Sequence, residues 1–415
     1  MRRTTGRGRA RGLRTALPAG APPVVLAVVL AALLAACTST VTGTASPAEA
    51  PAPTPPAATA EPAEAGPPVA PPPLTPGTQV EAIRMAAATS LVTAASPDRT
   101  EYCDPSGPYV DAAALEERAF APGTAVDALR QHGFVAAWAE CGLDAAGSAT
   151  VAITMEVADP QSAQDAAVAL ADASRAPGDE ALALPASGAI AVVSTTGATE
   201  TAQAWTASGR LVGYAFHTAA PGAAVPQVDA LMTDQLALMA AFTPTPQDRV
   251  PALPEDPDGL RDLAVAVPGQ PDDLTGPYGL DSYTRIAIDP ALERPLLADN
   301  GFAGFYTRQT TDGPLSYAVA LYRFPSSAQT NTVYTEFARL ESETYGGTPI
   351  RTPSIPDAPC FGFDAGSPEQ PFLLQRCYVG FGSFLASIDV AGVPALDDTS
   401  VIDPLLVAQR DLIDG

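Results

Sequence analysis

The chain has 415 residues with 46 acidic and 22 basic side chains, a formal net charge of −24, and every one of its cations is an arginine. This balance excludes nucleic acid as a partner, because no basic stripe is available to displace counterions from phosphates. It also repels an anionic membrane surface, while the length is sufficient for two ordinary domain cores.

Six arginines (Arg2, Arg3, Arg7, Arg9, Arg11 and Arg14) precede an apolar run from Val24 to Ala36 that ends in small residues before Cys37. That charge order holds the N-terminus on the cytoplasmic side of a membrane. At 13 residues the run matches the apolar stretch of a secretory signal and falls short of the ~20 that a spanning helix needs. Leu34-Ala35-Ala36-Cys37 has the form of a lipobox. Small residues admit the signal peptidase, and the Cys37 thiol is the nucleophile that takes a diacylglycerol group. Residues 1–36 are therefore expected to be a lipoprotein signal peptide and Cys37 the lipidation site. Two or three acyl chains, at ~0.8 kcal/mol per buried methylene, would hold the protein on the outer face of the plasma membrane. Because the leader holds six cations and no acid, the remainder carries a formal charge of −30.

Residues 37–77 read as a disordered tether: 12 prolines lie between Thr38 and Gly77 among Ala, Thr and Glu, with no aromatic residue to bury. Extended at ~3.1 Å per residue, this stretch would hold a folded body up to roughly 120 Å from its anchor, far beyond the ~8 Å Debye length.

The rest of the chain repeats itself. Gly107-Pro108-Tyr109 recurs as Gly276-Pro277-Tyr278, LRQHGFVAAW (Leu129 to Trp138) matches LADNGFAGFY (Leu297 to Tyr306), and Ser162-Ala163-Gln164 matches Ser327-Ala328-Gln329. In each copy a helix is expected to stop at a glycine, Gly133 or Gly301, in the left-handed C′ position. A strand follows: Val151, Ile153, Met155 and Val157 alternate with smaller residues, as do Tyr317, Val319 and Leu321, which predicts half-buried strands. Helices begin at the two Ser-Ala-Gln segments and run to about Ser174 and Glu343. Further strands are expected at Ala189 to Ser194, Leu211 to Thr218, Phe372 to Tyr378 and Ser383 to Val390. Each copy closes with an amphipathic helix, carried by Val228, Leu231, Met232, Met239 and Phe242, and by Val401, Leu405, Ala408 and Leu412. The fold class is α+β: two tandem similar domains at residues 78–242 and 259–415, each an antiparallel sheet packed with helices. Residues 243–258, with five prolines, form a stiff join at which a cleft could open.

With Cys37 assigned to lipid, four cysteines remain for an oxidising compartment. Three pairings are possible. Cys103 with Cys141 and Cys360 with Cys377 is favoured, since each bridge then falls inside one repeat.

The lipobox, the Val41-Thr42-Gly43-Thr44 start of the tether, and above all GFAGFYTRQT (Gly301 to Thr310) and ALYRFPSSAQ (Ala320 to Gln329) resemble a mycobacterial and nocardial type of actinobacterial cell-envelope lipoprotein with two repeats and no known function. The resemblance spans the whole chain after the leader. It implies an address and a two-part architecture, and it brings no catalytic residue with it. Each repeat is also similar, in order of secondary structure alone, to the extracellular sensor domains of some actinobacterial Ser/Thr kinases.

Catalytic strings are missing: no GxSxG, HExxH, GxGxxG or GxxxxGK[ST] occurs. No cofactor is implied. His132 precedes a helix-ending glycine and has Asn300 as its counterpart, so capping explains it. His217 reads as a solvent-side or inter-domain residue. Glu255-Asp256-Pro257-Asp258-Gly259 lacks the spacing of a calcium loop and reads as a solvated turn, so no metal site is expected. Tyr306, Arg308 and Arg323 are the candidate ligand contacts, being polar groups in a chain poor in cations. The first functional reading is a non-enzymatic binding, sensor-like or adaptor lipoprotein recognising an unknown envelope ligand or protein. The alternative is an envelope hydrolase using a carboxylate pair at the inter-domain cleft.

Overall fold

Each repeat folds into its own eight-stranded antiparallel sheet, and the two sheets share one strand order. In the first, β1 (Glu101–Tyr102), β2 (Gly107–Tyr109), β3 (Ala136–Leu143), β4 (Ala149–Glu156), β5 (Glu180–Ala183), β6 (Ile190–Thr196), β7 (Thr199–Ser208) and β8 (Leu211–Ala219) are arranged β1-β3-β4-β8-β7-β6-β5, with β2 also on β3. In the second, β9 (Gln270–Pro271), β10 (Gly276–Tyr278), β11 (Gly304–Asp312), β12 (Leu315–Arg323), β13 (Thr348–Ile350), β14 (Cys360–Asp364), β15 (Leu373–Phe381) and β16 (Phe384–Ala391) follow as β10-β11-β12-β16-β15-β14-β13, with β9 on β11. The α+β class and the tandem likeness of the halves are thus observed. This computed structural model describes residues 74–103, 105–364 and 372–415; the leader, Cys37 and the tether up to residue 73 lie outside the described residues.

Ten helices accompany the sheets among the described residues: α1 (Pro76–Arg84), α2 (Val92–Ala95), α3 (Ala112–Ala119), α4 (Val126–Gln131), α5 (Pro160–Ala173), α6 (Ala224–Ala241), α7 (Leu280–Tyr283), α8 (Pro290–Asp299), α9 (Ser327–Glu343) and α10 (Ile402–Asp414). Capping sets several starts. The Asp159 carboxylate accepts from the amides of Gln161 and Ser162 ahead of α5, and the Ser326 hydroxyl accepts from Ala328 ahead of α9. The expected glycine stops are present, with Gly133 and Gly301 both at φ 68° after α4 and α8.

Both faces of the first sheet are covered. Ala163, Ala166 and Leu170 of α5 pack on Ile153, Met155, Val212 and Tyr214. Val228, Leu231 and Met232 of α6 pack on Ala152, Ala202, Ala204 and Ala215. Strand β4 is therefore buried on both sides rather than half-buried as its alternation suggests, because its smaller residues are where α6 approaches. For the same reason His217 is not on the solvent side: it is 5% exposed, with Nδ1 2.7 Å from the Thr150 hydroxyl.

Two duplicated devices fix the ends of each repeat. Tyr109 donates to the Pro105 carbonyl at 2.6 Å and Tyr278 to the Leu274 carbonyl at 2.8 Å, so the Gly-Pro-Tyr segments are loop clamps. Gln235 of α6 and Gln409 of α10, both fully buried, accept the amides of Ser90 at 2.7 Å and Val265 at 2.8 Å. Each terminal helix thereby grips the segment that leads into its own repeat.

The repeats meet through α1, which continues as a 3₁₀ turn, Met85–Ala88. Thr75 is its N-cap and Pro76 its first residue, where a missing N–H costs nothing and φ is already helical. Ile83, Met85, Ala86 and Ala88 join Trp138, Leu211, Met239 and Val250 on one side and Tyr278, Tyr283, Phe305 and Tyr322 on the other in one apolar core. Trp138 meets Tyr278 edge-on at 6.4 Å between centroids, and Arg285 Nε donates to the Ala86 carbonyl at 2.9 Å. Full burial of Ile83 and Met85 contributes ~1.5–3 kcal/mol each. The join left open as a possible cleft is a filled seam.

Alanine in place of Gly77 tests the seam. Helix propensity alone favours the substitution by up to ~1 kcal/mol. The added Cβ would fall 2.1 Å from the Val250 carbonyl oxygen, a backbone atom, so overpacking wins and Gly77→Ala should destabilise by ~1–3 kcal/mol in urea unfolding. A neutral or stabilised variant would show that the join does not pack on α1.

The bridges Cys103–Cys141 and Cys360–Cys377 are both formed. Cys360 and Cys377 are 2% and 0% exposed whereas Cys103 is half-buried. Under mild reduction of the native protein, alkylation and peptide mapping should find Cys103–Cys141 opened first.

Candidate functional site

Chemistry-bearing side chains collect in two buried networks. The first lies at the seam. Glu81 of α1 and Glu156 at the end of β4 are both fully buried. The Thr245 amide donates to Glu81 Oε1 at 2.9 Å and its hydroxyl to Oε2 at 2.7 Å. Arg84 binds Glu81 and the Thr245 hydroxyl, reaches the Thr243 carbonyl at 3.3 Å, and lies 5.4 Å over the Phe242 ring. Arg210, in the turn between β7 and β8, donates to Glu156 Oε1 at 2.6 Å and to the Thr245 carbonyl at 2.7 Å. Helix, strand, turn and join thus share one knot. Burial, and then the neighbouring Glu81 carboxylate, push the Glu156 carboxyl up to about 8, against the pull of Arg210 and Arg84. At neutral pH Glu156 is protonated.

The second network lies under α8 and α9 in the second repeat. Arg376 of β15 and Asp389 of β16 are direct cross-strand partners, joined by Nε to Oδ1 at 2.7 Å and by a second bond from Nη2 to Oδ2. Arg376 Nη1 also donates to Glu341 Oε1 at 3.0 Å, where the Tyr378 hydroxyl donates as well. Nearby, Glu293 accepts from the Tyr283 hydroxyl, from Tyr345 at 3.2 Å and from the Asp289 amide at 3.0 Å. The Tyr283 and Tyr322 hydroxyls are 3.3 Å apart. Burial pushes the Glu293 carboxyl up, opposed by the Tyr283 bond. The phenols of Tyr283, Tyr322, Tyr345 and Tyr378 are likewise raised, first by burial and then by adjacent carboxylates or, for Tyr322, by Glu293. Burial works against the Arg376 charge, yet Asp389 and Glu341 keep it firmly protonated. The cluster holds acids as hydrogen-bond hubs, and all of its charged members are buried while Tyr345 is half-buried.

Arg308 and Arg323 are brought together with Tyr306 around the start of the second repeat. Arg308 Nη1 donates to the carbonyls of Ala264 at 2.7 Å and Val265 at 2.8 Å, and Nη2 to Arg261 at 3.2 Å. Arg323 donates to the Asp258 carbonyl and to its carboxylate, both at 2.9 Å. Tyr306 is core, 5% exposed among Val319, Leu321 and Ile388. The three build the fold here: their contacts are to this chain's own backbone and core. Glu255 pairs with Arg261 at 3.1 Å and Asp256 accepts the Leu260 amide at 2.6 Å, so that acidic turn is also engaged. Among the described residues, no group of three or more His, Cys, Asp and Glu is placed to hold a metal ion.

Sequence reasoning missed both networks. The one available signal was a charged residue inside an apolar strand, as in Leu374-Gln375-Arg376-Cys377 and Ile388-Asp389-Val390; the partner of each depends on strand register.

A family model described as the N-terminal part of a domain of unknown function (DUF7373) matches residues 69–255, the first repeat with α1 and most of the join. No curated protein and no solved structure matches the chain.

Removing one member of the second network leaves buried charges unpaired. Arg376→Met should lose ~3–5 kcal/mol in urea unfolding. Arg339→Met, which breaks the exposed pairs with Glu336 and Glu343, should lose far less. Equal losses would mean that the cluster is not the structural hub its geometry makes it.

Proposed function

We propose that this chain is a lipid-anchored binding or adaptor module on the outer face of the plasma membrane, without catalytic chemistry, of the same kind as the actinobacterial two-repeat envelope lipoproteins. The observation that carries this reading is where the fold puts its reactive groups. Glu81, Glu156, Glu293, Glu341, Arg376 and Asp389 are all buried and tie elements together. Recognition of an envelope ligand or protein is then left to loops and helix surfaces. One disulfide in each repeat supports an oxidising compartment, and the leader with Cys37 supplies the route to it. No described helix is long and apolar enough to cross a membrane, so attachment in this reading rests on lipid.

The hydrolase alternative has a carboxylate pair at the join, Glu81 and Glu156, but a substrate would have to displace α1 to reach it. Binding therefore stands ahead of catalysis.

Two measurements test the reading. Cells fed labelled palmitate should label the wild-type protein and not Cys37→Ser, which should also leave the membrane fraction; an unlabelled wild type would defeat the anchor. Native mass spectrometry after incubation with envelope lipid and glycan extracts should show a bound mass. An unliganded spectrum with every extract would defeat a small-ligand role.

A further inference from the structure

At the seam two fully buried carboxyls, Glu81 and Glu156, lie side by side, and one oxygen, Glu156 Oε2, has no hydrogen-bond partner. A buried acceptor left unmatched costs ~1–3 kcal/mol, and a proton on that oxygen removes the cost by making it a donor to Glu81. We propose that Glu81 and Glu156 form a single-proton latch, which holds α1 and the join to the first sheet when the proton is present and loosens them when it is lost. The proton leaves to solvent from the Glu156 carboxyl, and two adjacent buried carboxylates remain.

The charged groups facing the pair come from each element around it. Arg84 lies on α1 beside Glu81, and Arg210 reaches in from the turn between β7 and β8; the join contributes the neutral Thr243 and Thr245, and its Asp248 and Arg249 are exposed. Beyond the 3₁₀ turn, Arg285 is held on the Ala86 carbonyl. One further acid at the seam titrates high: Asp272, pushed up to about 6 by burial, next to the Asp273 carbonyl that accepts from Gln79 of α1.

The second repeat supplies the contrast. Glu156 faces Ala136 across the ladder as Arg323 faces Gly304, so the two residues are equivalent. Arg323 meets Asp258 in an ordinary ion pair. There one acid meets one arginine, so the pair is balanced in charge.

The sign follows from the raised carboxyl. The closed state binds a proton up to about pH 8 and the open state only to about 4.5, so the latch is fully effective below pH 4.5 and weakens as pH rises to 8. The seam tightens on acidification. Since α1 directly follows the proline-rich stretch, the latch sits where the tether meets the body.

Hydrogen exchange on the full-length chain tests this between pH 6.5 and 9, above the range of Asp272. After correction for intrinsic rates, opening at the Thr245 and α1 amides should rise about tenfold per pH unit up to pH 8 and then level off. The Val265 amide, in the equivalent joint, should stay flat. In Glu156→Gln, whose amide donates to Glu81 at any pH, the α1 slope should vanish. A flat wild type, or the same slope in the variant, would overturn the latch. Should the variant fail to fold, carboxyl carbon NMR of the unaltered chain decides: a signal assigned to Glu156 that titrates above pH 7 upholds the proposal, and one that titrates below pH 7 overturns it.

Discussion

The burial of one short helix between two sheets is the constraint on which the rest of this molecule depends. Neither repeat covers its own seam-side face. Trp138, Leu211 and Met239 in the first and Tyr278, Phe305 and Tyr322 in the second would be open to water without Ile83, Met85 and Ala86 between them. Because the hydrophobic term scales with the area removed from water, the two halves behave as one body through α1. Gly77 and Gly276 are small where α1 must come close to Val250 and where Ile83 must enter the second repeat.

This arrangement explains why an acidic chain with few cations buries several of them. Buried and half-buried arginines join segments distant in sequence: Arg285 reaches back to Ala86, Arg210 ties a turn to the join, Arg376 ties two strands to α9, and Arg308 and Arg323 tie strands β11 and β12 to the segment entering the second repeat. A planar guanidinium with five donors is suited to such carbonyl and carboxylate clusters, and a lysine is not. The charged surplus is left at the surface, where it costs little.

Much of the fold was legible in the sequence, and the reasons are local. Strands β4, β12 and β16 are rich in β-branched and aromatic residues at period two, and the glycine stops after α4 and α8 are set by backbone sterics. The disulfides could be assigned because only one pairing stays within each repeat. Helix α1 was hidden because Thr75-Pro76-Gly77 ends a proline-rich stretch and reads as more tether, although Pro at the first helical position is a favourable start. Strand β7, Thr199–Ser208, was hidden by alanine, threonine and glutamine that give no alternation; its strand state comes from β6 and β8 on either side. The two networks were hidden for a third reason. Arg376 meets Asp389, and Glu81 meets Thr245, only once register and topology are set, and no local rule carries that information.

The duplication shows how one position can be solved twice with opposite polarity. At the end of the fourth strand of each repeat, where a segment from outside the sheet crosses it, the first copy has Glu156 under a helix bearing Arg84, and the second has Arg323 under a loop bearing Asp258. A charge of either sign serves if a neighbouring segment brings its complement, Arg210 of the β7–β8 turn for Glu156 and Asp258 of the crossing loop for Arg323. In the first copy the crossing segment also brings a fully buried acid, Glu81, beside arginines that are already bound to the join. A proton satisfies two buried carboxyls where the arginines at hand are already engaged. The asymmetry lies at the one place where the halves are joined, which is where a response to protonation would reach the whole body.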